Sequence, residues 1–234
     1  MNPLNKILSC GVALPTLTAL AAVDARAGQT PGHTPSPSPL NKLRMSKLER
    51  MLEDRKPSVR AKAIQELRAL AARVDRMGRP SDRVHPPQAS GLFPYLVRAA
   101  EDKDAGNRSA ALYALADTRD PAAAAEIRKR LKDPNASVRF DAACLLTEFQ
   151  DASGLAEMKQ ALKRLLHEKD PVIYFCDGEM LMQSFERITR LSMGQIPGNP
   201  IFSSQMNAMR VAYPRYHELL STWAAWWNRT APHR

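Results

Sequence analysis

Asp54, Arg60, Ala63 and Leu67 in DRKPSVRAKAIQEL recur at the same spacing as Asp102, Arg108, Ala111 and Leu115 in DKDAGNRSAALYAL. They recur once more as Asp133, Arg139, Ala142 and Leu146 in DPNASVRFDAACLL. A D-x5-R-x2-A-x3-L pattern occurring three times in one chain constrains the fold more than any composition can. Internal periodicity on this scale is the mark of stacked supersecondary units, none of which can bury its apolar face alone. The last two copies are 31 residues apart, the length of one helix-turn-helix unit.

Each copy is accompanied by an amphipathic helix of its own. DPAAAAEIRKRLK precedes the third copy with Ile127 and Leu131 four apart. DASGLAEMKQALKRLLHEKD follows it, with Leu155, Met158, Leu162, Leu165 and Leu166 on one face. Asp120-Pro121, Asp133-Pro134 and Asp170-Pro171 each place an N-capping acid before a proline suited to the first helical position. No alternating apolar stretch predicts a strand. The unit is therefore an antiparallel helix pair, and the reading is all-α.

The ends and the interruptions depart from the pattern. MNPLNK, the apolar run ILSCGVALPTLTALAAV and the ARA sequence at Ala25 to Ala27 have the form of a signal peptide spanning 1–27, cleaved after Ala27. A lipoprotein cut at Cys10 would leave too short an apolar run before it. Pro15 and the length of the run disfavour a retained anchor. Export into a periplasm, or secretion, is the expectation. Residues 28–40, rich in proline, read as an extended linker, and residues 41–191 as the array.

The first two copies lie 48 residues apart, the excess carried by RMGRPSDRVHPPQASG. Arg76, Arg79, Arg83 and His85 make this insert locally basic, and inserts in repeat arrays cluster on a binding face. They are candidate partner-binding residues, together with Trp226. Beyond Asp170 the pattern degrades, with Cys176 read at the arginine place. Residues 192–229 read as a loop and a capping helix whose Tyr216, Leu219, Leu220, Trp223 and Trp227 share one face.

DRKPSVRAKA and DPNASVRFDA fit a D-x-x-x-x-V-R-x-x-A motif in full, and DKDAGNRSAA fits it with Asn107 in place of valine. On these residues, from about Leu40 to Arg190, the chain resembles HEAT-type, armadillo-like repeat proteins. The tail, ITRLSMGQIP through WAAWW, resembles the ending of some exported bacterial members, with Ser192 where they carry threonine. The resemblance implies an α-solenoid, a right-handed superhelix of about four helix pairs plus a C-terminal capping helix. It also implies a structural ladder joining successive units through Asp54, Arg60, Asp102, Arg108, Asp133 and Arg139. It further implies a non-enzymatic scaffold for protein-protein interaction.

Chemistry-bearing motifs are otherwise missing from the sequence. The five histidines form no HExxH, and there is no zinc or calcium loop, GxSxG or phosphate-binding glycine loop. No catalytic residue, metal ligand or cofactor site is assigned. Asp177 and Glu179 in CDGE sit two apart and point to different faces of a helix. Cys144 and Cys176 are an even pair in a compartment that permits disulfides, but both lie in apolar helical surroundings where a buried thiol is common.

A net charge of +10 favours acidic partners. The expected partner is a protein or extended peptide of the cell envelope. The alternative is a basic binder, or a lyase-like or enzyme-regulating subunit, acting on an anionic envelope polymer or small molecule. Export makes nucleic acid a poor candidate.

Overall fold

The computed structural model describes residues 39–71, 91–198, 200–202 and 207–230. Within them lie α1 (Pro39–Leu52), α2 (Pro57–Ala71), α3 (Phe93–Ala99), α4 (Ala105–Asp117) and α5 (Pro121–Lys129). These are followed by α6 (Ala136–Leu146), α7 (Leu155–Leu165), α8 (Pro171–Thr189) and α9 (Ala208–Thr230). No strand occurs among the described residues.

The helices begin where side chains can take up the orphan N–H groups of a first turn. Asp104 accepts from the Asn107 N–H, Asp120 from Ala122, and Asp170 from both Val172 and Ile173. At the third copy the structure corrects the expected cap. Asn135, not Asp133, caps α6 by accepting from Ser137 and Val138.

Asp133 stands two residues upstream and accepts the Asn135 N–H at 2.9 Å. Asp54 and Asp102 do the same to Lys56 and Asp104, each at 2.8 Å. The repeated aspartate thus closes an Asx turn ahead of the helix, leaving its other oxygen free to face a neighbouring unit.

This geometry also corrects the register of the fourth unit. Glu168 accepts the Asp170 N–H at 2.9 Å, playing the part of the repeated aspartate with a longer side chain. Counting six onward, the arginine place is held by Tyr174, not Cys176, and Leu181 takes the place of Leu146.

The pairs α1–α2, α3–α4, α5–α6 and α7–α8 each pack together, while α2, α4, α6 and α8 pack side by side through the stack. The arrangement is an all-α solenoid. Its apolar interior forms two clusters that meet at α6. Val138, Ala142, Leu145 and Leu146 belong to one, and Phe140, Ala143 and Cys144 to the other. A helix with apolar residues on every side must be buried, and α6 is buried from Phe140 through Leu146. Cys144 and Cys176 are both buried and are not bridged to each other.

The end of the array departs from the alternation. Ring contacts pair Tyr174 with Tyr213, Phe175 with Tyr216, and Phe185 with Trp223 and Trp227. Rising residue numbers on α8 therefore meet rising numbers on α9, and the two helices run parallel. That is the relation of successive second helices in the stack, so α9 stands where the second helix of a fifth unit would. The intervening segment contributes Met193, Ile196 and Ile201 to the core in place of a first helix.

Two glycines respond differently to an added methyl. A Cβ at Gly154 would lie 2.5 Å from the Ala143 Cα, against the backbone of α6. One at Gly178, on α8, would meet Leu220 and Tyr216 at ordinary contact distances of 3.6 and 3.7 Å. Gly154→Ala should cost about 1 to 3 kcal/mol through overpacking. Gly178→Ala should be neutral, or stabilising by up to about 1 kcal/mol from helix propensity. Urea unfolding of the two variants checks the contrast.

Candidate functional site

The turn edge of the stack carries the repeated aspartates and arginines. Arg60 donates from Nε and Nη2 to the two carboxylate oxygens of Asp102, at 2.6 and 2.7 Å. Arg108 holds Asp133 in the same two-pronged way at 2.8 and 2.7 Å. Each guanidinium also reaches back through Nη1 to two carbonyls of its own turn. Arg60 meets those of Asp54 and Arg55, and Arg108 those of Asp102 and Lys103. Every donor that matters is used, and each arginine ties its own turn to the next unit.

These pairs are more buried than surface ion pairs. Side-chain exposure is 11% for Arg108 and 1% for Asp133. Burial alone would raise both aspartate pKa values. It is outweighed at Asp102 by the Arg60 guanidinium, the Asp104 N–H and the Asn107 amide, and at Asp133 by Arg108 and the Asn135 N–H, so both carboxyls lie below their ordinary value. Asn107, the departure from the valine motif, has its reason here, since its amide donates to Asp102 and to the Pro57 carbonyl at 3.2 and 3.1 Å.

The ladder changes character beyond the third copy. Arg139 keeps the backward bonds to Asp133 and Pro134, but its forward contact is to Glu157 on α7, at 3.3 Å. Tyr174, in the next arginine place, stacks on Tyr213 with ring centroids 4.9 Å apart. Burial, and Tyr213 beside it, push the Tyr174 phenol well above its usual range. An ion-pair rung is replaced by an aromatic one where the array closes.

A second polar feature crosses the face formed by the second helices. Asp141 on α6 accepts from the Ser109 hydroxyl and, at 3.2 Å, from the Tyr113 hydroxyl, both on α4. Tyr113 also reaches the Met180 sulfur on α8, at 3.0 Å. Side chains two units apart therefore meet over α6. The Arg68 guanidinium lies 5.3 Å from the Tyr113 ring centroid and is paired with Asp117 at 2.6 Å, with side-chain exposures of 27% and 30%.

The family model of HEAT repeats matches residues 45–146 and, in an overlapping span, 93–173, more than half of the chain. The chain belongs to the HEAT-repeat family. No curated protein and no solved structure matches it. HEAT repeats generally serve as scaffolds for protein interaction, and protein partners are the coarse functional expectation.

Against this HEAT-repeat frame the sequence candidates separate. Arg76, Arg79, Arg83 and His85 lie outside the described residues. Trp226 is half-buried, set edge-on against Trp223 and Trp227 at 5.7 and 4.9 Å, while Tyr213 is the more exposed ring, at 44%. Asp54, Asp102, Asp133, Arg60, Arg108 and Arg139 all lie on the turn edge.

The Arg68–Tyr113–Asp141 line was not read from the sequence. Its signals were an aspartate in the middle of the apolar run VRFDAACLL and the i, i+4 spacing of Ser109 and Tyr113. No group of histidine, cysteine and carboxylate side chains suited to a metal occurs among the described residues. No described helix is long and apolar enough to cross a membrane.

Replacing Arg108 by methionine strands a carboxylate that is 1% exposed, and should cost about 3 to 5 kcal/mol. Because Asp102 and Asp133 titrate below their unfolded value of about 3.9, their contribution is full above that pH and is lost as pH falls through the folded values. The urea midpoint of the unsubstituted protein should therefore drop below about pH 4. Arg108→Met, having lost one rung, should drop less steeply.

Proposed function

We propose that this HEAT-repeat protein is an exported, non-enzymatic scaffold that binds another envelope protein, or an extended peptide, on the face of its second helices between α2 and α4. The observation that carries the reading is the pre-set arrangement of Arg68, Tyr113 and Asp117. Arginine and tyrosine are the residue types that dominate binding energy at interfaces, because they offer large contact area with little freedom left to lose. Here the ring is held by Asp141 and Met180, the guanidinium by Asp117 and the ring face.

The Tyr113–Met180 contact over α6 supports placing the docking surface in the N-terminal half. Export is supported by the basic lead, apolar run and small-x-small site at residues 1–27. Absence of nucleophile, metal and phosphate-loop motifs from the sequence supports a non-enzymatic role.

Two measurements test this. Mass analysis of the protein isolated from its native cell should find Gly28 as the first residue, in the envelope fraction. An intact N-terminus in the cytoplasm would remove the export claim. Crosslinking in envelope extract should yield a defined partner that Arg68→Glu and Tyr113→Ala each reduce by tenfold or more, the scale of a hot spot above roughly 1.4 kcal/mol, whereas Trp226→Ala leaves it unchanged. Equal capture by all variants would contradict the proposed face.

A further inference from the structure

Among the described residues two acceptors of the ladder take no guanidinium: Glu168, which Arg139 bypasses for Glu157, and Asp54 at the first turn. Asp102 and Asp133 each use Oδ1 to accept a backbone N–H two residues on, and each takes a guanidinium from the preceding unit on both oxygens. Asp54 is built identically at the turn, its Oδ1 accepting the Lys56 N–H at 2.8 Å. It is the first copy of the motif in the sequence, and no earlier unit lies among the described residues to supply an arginine. Its carboxylate lies near enough to Arg60 of its own turn to raise that guanidinium's pKa, but among the described residues no side chain donates to it.

We propose that Asp54 is an arginine-docking site, taking the guanidinium of a partner protein's arginine in the geometry that Asp102 and Asp133 show within the chain. The occupant is specified by internal example. The same turn, closed by the same Oδ1 bond, is filled by arginine at Asp102 and at Asp133. A planar fork matches a carboxylate on two oxygens, and an ammonium cannot.

A groove of about 780 Å³ opens beside the carboxylate, between the first two turns, with Leu52, Pro57 and Ala99 among its lining residues. It gives the stem of the incoming side chain an apolar wall. Arg55, Arg60, Arg98 and Lys103 also line the groove, and of these Arg60 and Arg98 are already paired with Asp102 and Glu53. This inference rests on the reading of the protein as a partner-binding scaffold, but places a contact on the turn edge and not on the face between α2 and α4.

The test uses the full chain and two small probes, N-acetyl-arginine amide and N-acetyl-lysine amide, followed by amide NMR shifts. The arginine probe should move the Asp54 and Lys56 amides with a dissociation constant of roughly a millimolar, and the lysine probe should bind at least tenfold more weakly. Asp54→Asn keeps the acceptor for the Lys56 N–H, so the turn survives, and it should weaken the arginine probe at least tenfold. Asp104→Asn should leave it unchanged.

Absence of a local shift, equal response to both probes, or indifference to Asp54→Asn would overturn the proposal. If Asp54→Asn instead weakened self-association of the chain in ultracentrifugation, the occupant would be a second copy, and the partner-protein form would fall. Should Arg68→Glu abolish partner capture while Asp54→Asn alters neither capture nor probe binding, this inference fails and the scaffold reading stands.

Discussion

A guanidinium that donates backward to two carbonyls and forward to a carboxylate is the joint on which this molecule depends. Without it, neighbouring helix pairs would share only apolar contact, which is strong but non-directional. Leu67, Leu115 and Leu146 would pack nearly as well with one unit slipped or rotated against the next. The two-pronged bond fixes the register because it has one geometry. Its burial makes the net stabilisation modest when intact and the loss large when one partner is removed. The ladder therefore specifies the stack, and the apolar clusters around α6 supply most of its stability.

Repetition also explains where the structure is free to differ. Asn107 replaces a motif valine yet adds a donor to the same rung. At the C-terminal end Glu168, Tyr174 and Glu157 substitute for aspartate, arginine and the next rung's acceptor. The ring stack and the parallel α9 then close the array without another ion pair. At the first described turn Asp54 keeps the Asx turn of a rung, and among the described residues no guanidinium donates to it.

The helix pairs, their order and the residues of the joint were legible in the sequence because spacing is a one-dimensional signal. D-x5-R-x2-A-x3-L survives translation into structure unchanged. The capping of α6 was misread because an aspartate before a proline serves equally well as an N-cap or as an Asx turn two residues earlier. Only the third dimension shows that its second oxygen is committed to Arg108. The same ambiguity displaced the fourth unit by two residues and put Cys176 where Tyr174 belongs. The line from Arg68 through Tyr113 to Asp141 was illegible for a different reason, since it joins side chains on helices of three successive units, a contact that no local pattern encodes.

A double-mutant cycle on Arg108 and Asp133 tests this account most directly. Arg108→Met, Asp133→Leu and the pair together would be compared by urea unfolding at pH 7 and again in high salt. If the rung is a buried, directional joint, the double variant should recover a large part of the loss of Arg108→Met, with a coupling of about 1 to 3 kcal/mol that salt reduces little. Additive losses, or a coupling that vanishes in salt, would show a screened surface pair and contradict the claim that the ladder sets the stack.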